Sequence, residues 1–111
     1  MEKILSEWNR YNSELAHYFS NRDSTSALPV MKKAIALFKD FLFITNGLNE
    51  EFHSLGDCTI KPVNVAERLA FISSRPGLFH SYKQLAELFA EQEKQYARQT
   101  ALNTAKNKRP E

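Results

Sequence analysis

The stretch from Lys61 to Phe89 constrains the fold more than any other part of the chain. Within it, Val65, Leu69 and Ile72 recur at the spacing of one helix face. The pattern stops at Arg75-Pro76, because the residue before a proline avoids the helical region of backbone space. A second amphipathic helical pattern begins directly afterwards. The stretch therefore predicts a short helix, a sharp break and a longer helix.

The third and fourth helices can be bounded from these signals. Asn64 followed by Glu67 resembles a capping box and predicts the third helix at about 65–74. The fourth helix is expected to begin near Gly77 or Leu78 and to continue to about Asn103. Residues 104–111 are then expected to form a flexible basic tail.

Two further helices are predicted in the first half of the chain. The first runs from about Glu2 to Ser20 and carries an apolar stripe at steps of three and four residues, formed by Ile4, Trp8, Tyr11, Leu15 and Tyr18. The polar residues 21–26 are expected to be a loop that supplies the next N-cap. The second helix is predicted from near Leu28 to Asn46, with Pro29 in its first turn and Gly47 as the stop.

Chain length and glycine content favour a single helical domain. A chain of 111 residues fits one domain, and only three are glycine, which disfavours a turn-rich β protein. Four helices with short connections predict an all-α, antiparallel four-helix bundle over residues 1–103. A compact monomer of this length would have a radius of gyration of about 13 Å.

Cysteine and charge usage exclude several classes of protein. The single Cys58 excludes an internal disulfide and a thiolate-rich metal site, and it suggests a reducing, cytoplasmic setting. The histidines show no paired ligand spacing, so no metal and no cofactor are predicted. The most apolar run, 34–45, is interrupted by charges and too short to span a membrane. Residues 1–60 carry six basic and eight acidic groups, whereas residues 61–111 carry nine and five.

The sharpest candidate site is a basic cluster around the break between the third and fourth helices. Arg68 and Arg75 are seven residues apart, so they share a face if the third helix persists to Ser74. Arg75 precedes the start of the fourth helix, where free N–H groups attract anions. His80 and Lys83 follow on the first two turns of that helix. The four side chains are candidates for contacting a phosphate or an acidic partner, and the alternative is that Arg68 pairs with an acid while the others are solvated.

The aromatic content suggests a second kind of surface. Thirteen of the residues are Phe, Tyr or Trp, which is a large supply for one small core. Nearly all lie on predicted inward stripes, including Phe71 and Phe79. Helix two is the expected location of any exposed aromatic patch, because Phe43 lies opposite Phe41. Such a patch would dock a partner or a second copy of the chain; the alternative is a well-filled core.

One block of the chain is similar to a known family. The block is Lys61-Pro62-x-Asn64-x-x-Glu67-Arg68-Leu69-x-Phe71-Ile72-x-x-Arg75-Pro76, followed by Tyr82-x-x-Leu85-x-x-Leu88. Over residues 38–97 it resembles the YpoC-like family of Bacillota. The resemblance implies a small helical protein without established catalytic residues. It also implies a setting near genes of replication initiation and DNA repair.

These observations favour a non-catalytic protein–protein interaction module of the bacterial cytoplasm, associated with proteins of DNA replication or repair. No glycine-rich phosphate loop is present, and no acid–base pair stands out, so an enzyme is not predicted. The alternative function is weak, direct binding of nucleic acid. The two differ in salt dependence, because phosphate contacts weaken steeply as salt rises.

Overall fold

Four α-helices form the described part of the chain, as the sequence predicts. The structure is a computed structural model that describes residues 2–107, with side chains as far as residue 102. The helices are α1 (Glu2–Ser20), α2 (Ser24–Thr45), α3 (Val65–Ser74) and α4 (Phe79–Asn107). A short 3₁₀ helix, Leu55–Asp57, interrupts the connection between α2 and α3. No helix within the described residues is both long and apolar enough to cross a membrane.

The start of α2 lies four residues before the predicted one. Asp23 is its N-cap, and the Asp23 carboxylate accepts a hydrogen bond from the Ser26 backbone N–H at 3.1 Å. The helix therefore includes Ser24, and Pro29 lies inside it rather than in its first turn. The predicted loop 21–26 shrinks to residues 21–23. A side-chain cap was enough to extend the helix into a polar segment.

The predicted capping box of α3 is wrong. Asn64 is the N-cap residue, but its backbone is left-handed, with φ 57° and ψ 34°, and its side chain makes no capping bond. A side-chain cap normally requires an extended backbone at this position. Asparagine is one of the few residue types that adopt the left-handed conformation at modest cost, and this is the role of Asn64.

Contacts between helices give the direction of each one. Phe19 of α1 stacks on Tyr82, and Trp8 stacks on Phe89, so α1 is antiparallel to α4. Arg68 contacts Glu91, whereas Phe71 further along α3 contacts His80, so α3 is also antiparallel to α4. The three-residue connection makes α1 and α2 antiparallel neighbours. The fold is therefore the predicted antiparallel four-helix bundle.

The bundle is longer than a compact chain of this length. Its radius of gyration is 15.5 Å and its largest extent is 59 Å, against the expected radius of about 13 Å. The reason is the length of α4, whose 29 residues extend for about 43 Å and end at Asn107 rather than at the predicted Asn103. Residues 104–107, expected in the tail, are thus helical, and residues 108–111 lie outside the described part of the chain.

A polar network holds the long connection between α2 and α3 against the bundle. The Asn46 side chain donates to the backbone oxygens of Leu42 at 2.7 Å and Ile60 at 2.8 Å. Its oxygen accepts from the N–H groups of Thr59 at 2.9 Å and Ile60 at 2.8 Å. The buried Gln92 of α4 donates to the same Ile60 oxygen at 2.9 Å. Asn46 therefore caps the end of α2 and also holds residues 59–60 of the connection in place.

Replacing Asn46 by Ala should destabilise the fold, because four hydrogen bonds are lost and partly buried backbone groups are left unpaired. We expect the free energy of unfolding to fall by about 2 kcal/mol. Urea denaturation followed by circular dichroism would measure it. The matched control is Asn9→Ala, an exposed asparagine of α1, which should change stability by less than about 0.5 kcal/mol. Equal effects of the two substitutions would contradict the role given to Asn46.

Candidate functional site

Arg68 is held by a set of contacts between α3 and α4. Its Nη1 and Nη2 atoms donate to the two carboxylate oxygens of Glu91, at 3.0 and 2.7 Å. Its Nε donates to Gln84 Oε1 at 3.1 Å, and Nη1 also donates to the Val63 backbone oxygen at 3.1 Å. Four of the five guanidinium N–H groups are thereby occupied. The alternative stated for Arg68, pairing with an acid of another helix, is confirmed.

The electrostatics of this pair follow from its geometry. Hydrogen bonding to Arg68 lowers the pKa of the Glu91 carboxyl, and hydrogen bonding to Glu91 raises the pKa of the guanidinium. Both side chains are partly exposed, so water screens the attraction. The two parallel hydrogen bonds still fix the relative orientation of the two side chains, because a planar guanidinium and a carboxylate have matching bidentate geometry. The pair therefore orients α3 on α4.

The turn between α3 and α4 is fixed by Ser81, which the sequence analysis did not single out. Its side chain is buried, and Oγ donates to the Arg75 backbone oxygen at 2.6 Å. The Leu78 N–H donates to the same oxygen at 3.3 Å. A carbonyl at the end of α3 is thus satisfied by the first turn of α4. The side chain of Arg75 remains exposed at this corner.

The four predicted site residues do not form one continuous cluster. His80 shares a cleft of about 240 Å³ between α3 and α4 with Arg68, and its ring lies edge-on to Phe71 at 5.7 Å. Lys83 lines a different depression, between α1 and α4. Within the described residues the only salt bridge is Arg68–Glu91, so Arg75 and Lys83 pair with no acid there.

Apolar side chains of the same segment are exposed, and the prediction that Phe71 and Phe79 lie on inward stripes is wrong. Phe79 is 57% exposed, Leu78 is 43% exposed and Phe71 is 39% exposed. Helix two, the expected location of such a patch, instead buries both Phe41 and Phe43. The junction surface comprises the six exposed side chains of the last part of α3, the turn after it and the first two turns of α4, namely Phe71, Arg75, Leu78, Phe79, His80 and Lys83.

Aromatic contacts anchor the junction surface to α1. Phe79 meets Phe19 edge-on at 5.9 Å and Tyr82 at 6.0 Å. Phe19 and Tyr82 stack at 5.4 Å with nearly parallel rings. The Tyr82 hydroxyl donates to the side-chain oxygen of Asn12. One face of Phe79 is therefore fixed by packing while the rest of its ring remains accessible.

The family of this chain follows from its match to a family model. The model, described as YpoC-like protein, matches residues 1–104. The chain belongs to the YpoC-like family. The resemblance seen over residues 38–97 is therefore confirmed. The match also includes the first helix, which contains none of the motifs on which the resemblance was based. No significant match is found among curated proteins or among solved structures.

Outside the junction surface, the described residues of this YpoC-like protein offer neither clustered metal ligands nor an activated thiol. The described residues contain no group of three or more His, Cys, Asp or Glu side chains that could hold a metal ion. Cys58 is buried, and burial raises the pKa of its thiol, which disfavours the reactive thiolate. A groove of about 720 Å³ between α1 and the end of α2 contains none of the predicted site residues. The junction surface is where the predicted residues and exposed apolar area coincide.

The Arg68–Glu91 pair gives a pH-dependent prediction. Because the folded state lowers the pKa of Glu91 from its ordinary value of 4.5, the pair stabilises the fold above that pH and loses its effect as pH falls through the lower folded pKa. Glu91→Gln should therefore cost about 1 kcal/mol at neutral pH. The difference from the wild type should shrink in acid, as measured by urea denaturation at about pH 7 and pH 3.

Glu93→Gln is the matched control for this measurement, because Glu93 is an exposed acid two residues away on the same helix and belongs to no salt bridge within the described residues. It should change stability little at either pH. A cost of Glu91→Gln that stays constant between neutral and acidic pH would show that the charge of Glu91 contributes nothing.

Proposed function

We propose that this protein is a non-catalytic protein–protein interaction module that binds its partner through the junction surface. The observation that carries the proposal is the exposure of three apolar side chains, Phe71, Leu78 and Phe79, at the end of α3 and the start of α4. Exposed apolar area of this kind is typical of interaction sites. Arg75, His80 and Lys83 belong to the same segment of the chain and are also exposed.

The composition of this surface supports a protein as the partner. Protein interfaces have an apolar centre enriched in aromatic residues, with a polar rim that remains wet. Phe79 is suited to the centre, because its ring is accessible and its orientation is fixed by Phe19 and Tyr82. An anchor that is already ordered loses little conformational entropy on binding. Arg75 and Lys83 supply the charged rim.

The cellular setting is part of the proposal. Cys58 is a buried free thiol, which suits a reducing compartment such as the bacterial cytoplasm. The YpoC-like family resemblance implies a setting near DNA replication or repair. The partner in this proposal is therefore a protein that works in one of those processes.

Direct binding of nucleic acid is a second candidate with an observation in its favour. Bases stack on exposed aromatic rings while cations contact the phosphates, and Phe79 and Lys83 offer one of each. Arg68 contributes less than expected, because Glu91 occupies it. Nucleic-acid binding would fall steeply with salt, whereas burial of apolar surface would not.

Affinity purification of the tagged protein from native lysate, with and without nuclease, tests the proposal. We expect a specific protein to be retained after nuclease treatment and to be lost with the Phe79→Ala variant, because the substitution removes the apolar centre of the surface. The matched control is Phe52→Ala, since Phe52 is 76% exposed and lies in the loop after α2. That variant should retain the partner.

A second variant, Lys83→Glu, tests the same surface without disturbing the core. Lys83 is exposed and is in no salt bridge within the described residues. The variant should also lose the partner while keeping the wild-type unfolding transition. Retention that is equal for the Phe79 and Phe52 variants would overturn the proposal. Capture that disappears with nuclease would favour the nucleic-acid alternative.

A further inference from the structure

A groove between α1 and α4 begins at the junction surface and indicates what kind of segment binds there. It has a volume of about 680 Å³. Its lining comprises small, aromatic and polar side chains of the two helices, namely Asn12, Ala16, Phe19, Ser20, Phe79, Tyr82, Lys83 and Ala86. Phe79 and Lys83 belong to both the groove and the junction surface.

Small side chains make the groove accessible to another helix. Ala16 and Ser20 are one turn apart on α1, and Ala86 lines the same groove from α4. Where side chains are small, side chains of a second helix can enter between the ridges of the first. The rings of Phe19 and Phe79 then provide apolar contact at one end. The groove thus combines room for a helix with an aromatic anchor.

The polar side chains of the groove are largely satisfied within the protein. The Ser20 hydroxyl donates to the His17 backbone oxygen at 3.1 Å. The Tyr82 hydroxyl donates to the side-chain oxygen of Asn12, which leaves the Asn12 amide N–H₂ as a donor. A ligand therefore meets N–H donors on Asn12 and Lys83 beside the acceptor lone pairs of the Ser20 and Tyr82 hydroxyls. The charged donor, Lys83, is complementary to an apolar segment that carries a carboxylate.

The walls of the groove also determine the backbone form of the ligand. Both walls are α-helices, whose backbone groups bond within their own helix. An extended peptide would find no backbone partner there and would leave its own N–H and C=O groups unpaired against apolar side chains. A helix satisfies its backbone internally. The groove therefore favours a helical ligand over an added strand.

The charge of the groove lining indicates which charge the ligand carries. Lys83 is the only charged residue that lines the groove within the described part of the chain, and no acid there pairs with it. Arg22 follows Ser20 by two residues and is also exposed. A carboxylate on the ligand would pair with Lys83 at the edge of the apolar contact. A basic ligand would meet a like charge at the same place.

We propose that the groove between α1 and α4 binds an amphipathic helix that carries an acidic side chain facing Lys83 beside an apolar stripe packed on Phe19 and Phe79. This inference rests on the proposed function and specifies the chemistry of the partner. From Asn12 to Ser20 the groove follows α1 for about 12 Å, which corresponds to about two turns of helix. The binding segment therefore presents apolar residues at i, i+3 or i+4, and i+7.

Selection from a displayed library of helix-forming peptides, with charges of both signs varied, tests this proposal on the full-length protein. We expect enriched peptides to carry Asp or Glu next to an apolar stripe. Their affinity, measured by fluorescence anisotropy, should fall by about tenfold or more with Lys83→Glu. Replacing the peptide's acid by Lys should restore binding to that variant, because the charges are then exchanged.

The matched controls are Lys33→Glu, an exposed lysine of α2, and Phe52→Ala. Both should leave affinity unchanged, whereas Phe79→Ala should abolish it. The proposal is overturned if nothing is enriched over the Phe79→Ala protein, or if the enriched peptides are basic or bind equally well to Lys83→Glu.

Failure of the helical, acidic ligand is distinguishable from failure of the proposed function. If the cellular partner depends on Phe79 but its binding segment is extended or lacks an acid, only the helical, acidic ligand is wrong. If no cellular partner depends on Phe79, the junction surface itself is not the interaction site.

Discussion

The ring of Phe89 is the contact on which the bundle depends most. It stacks on Trp8 of α1 at 4.2 Å, meets Phe38 of α2 edge-on at 5.1 Å and lies 5.8 Å from Phe41. One buried side chain of α4 thus contacts both other long helices. Aromatic contacts of this kind add to the free energy gained by burying the rings. Because they have a preferred geometry, they also fix the register of α1 against α4.

The candidate site follows from that register. With Trp8 held on Phe89, the far end of α1 brings Phe19 against Phe79 and Tyr82. A different kind of contact, the bidentate Arg68–Glu91 salt bridge, positions α3 on α4. The junction surface lies at the end of the bundle where α3 ends at Ser74 and α4 begins at Phe79.

Much of the fold could be predicted from the sequence because its signals are local. Helices α1 and α3 have the predicted bounds, since apolar spacing and the Arg75-Pro76 break determine them within a few residues. The start of α2 could not be located, because several residues before it were equally able to cap a helix, and Asp23 does so. The continuation of α4 to Asn107 has no apolar signal. Helix-forming composition extends it beyond the bundle.

The candidate site was less predictable because it depends on contacts between distant residues. The basic cluster was identified along the chain, yet the partner of Arg68 lies 23 positions away on α4. Spacing could not show that His80 and Lys83 face different depressions. The exposure of Phe71 and Phe79 also had no local signal, since both follow the same spacing as buried residues.

The central claim is that the junction surface contacts another protein in the cell. Site-specific photo-crosslinking tests it most directly, with a photoreactive phenylalanine analogue placed at Phe79 or, as a control, at Phe52. Our account predicts a discrete protein adduct from position 79 that survives nuclease and is absent from position 52. The same adducts from both positions, or none from position 79, would contradict it.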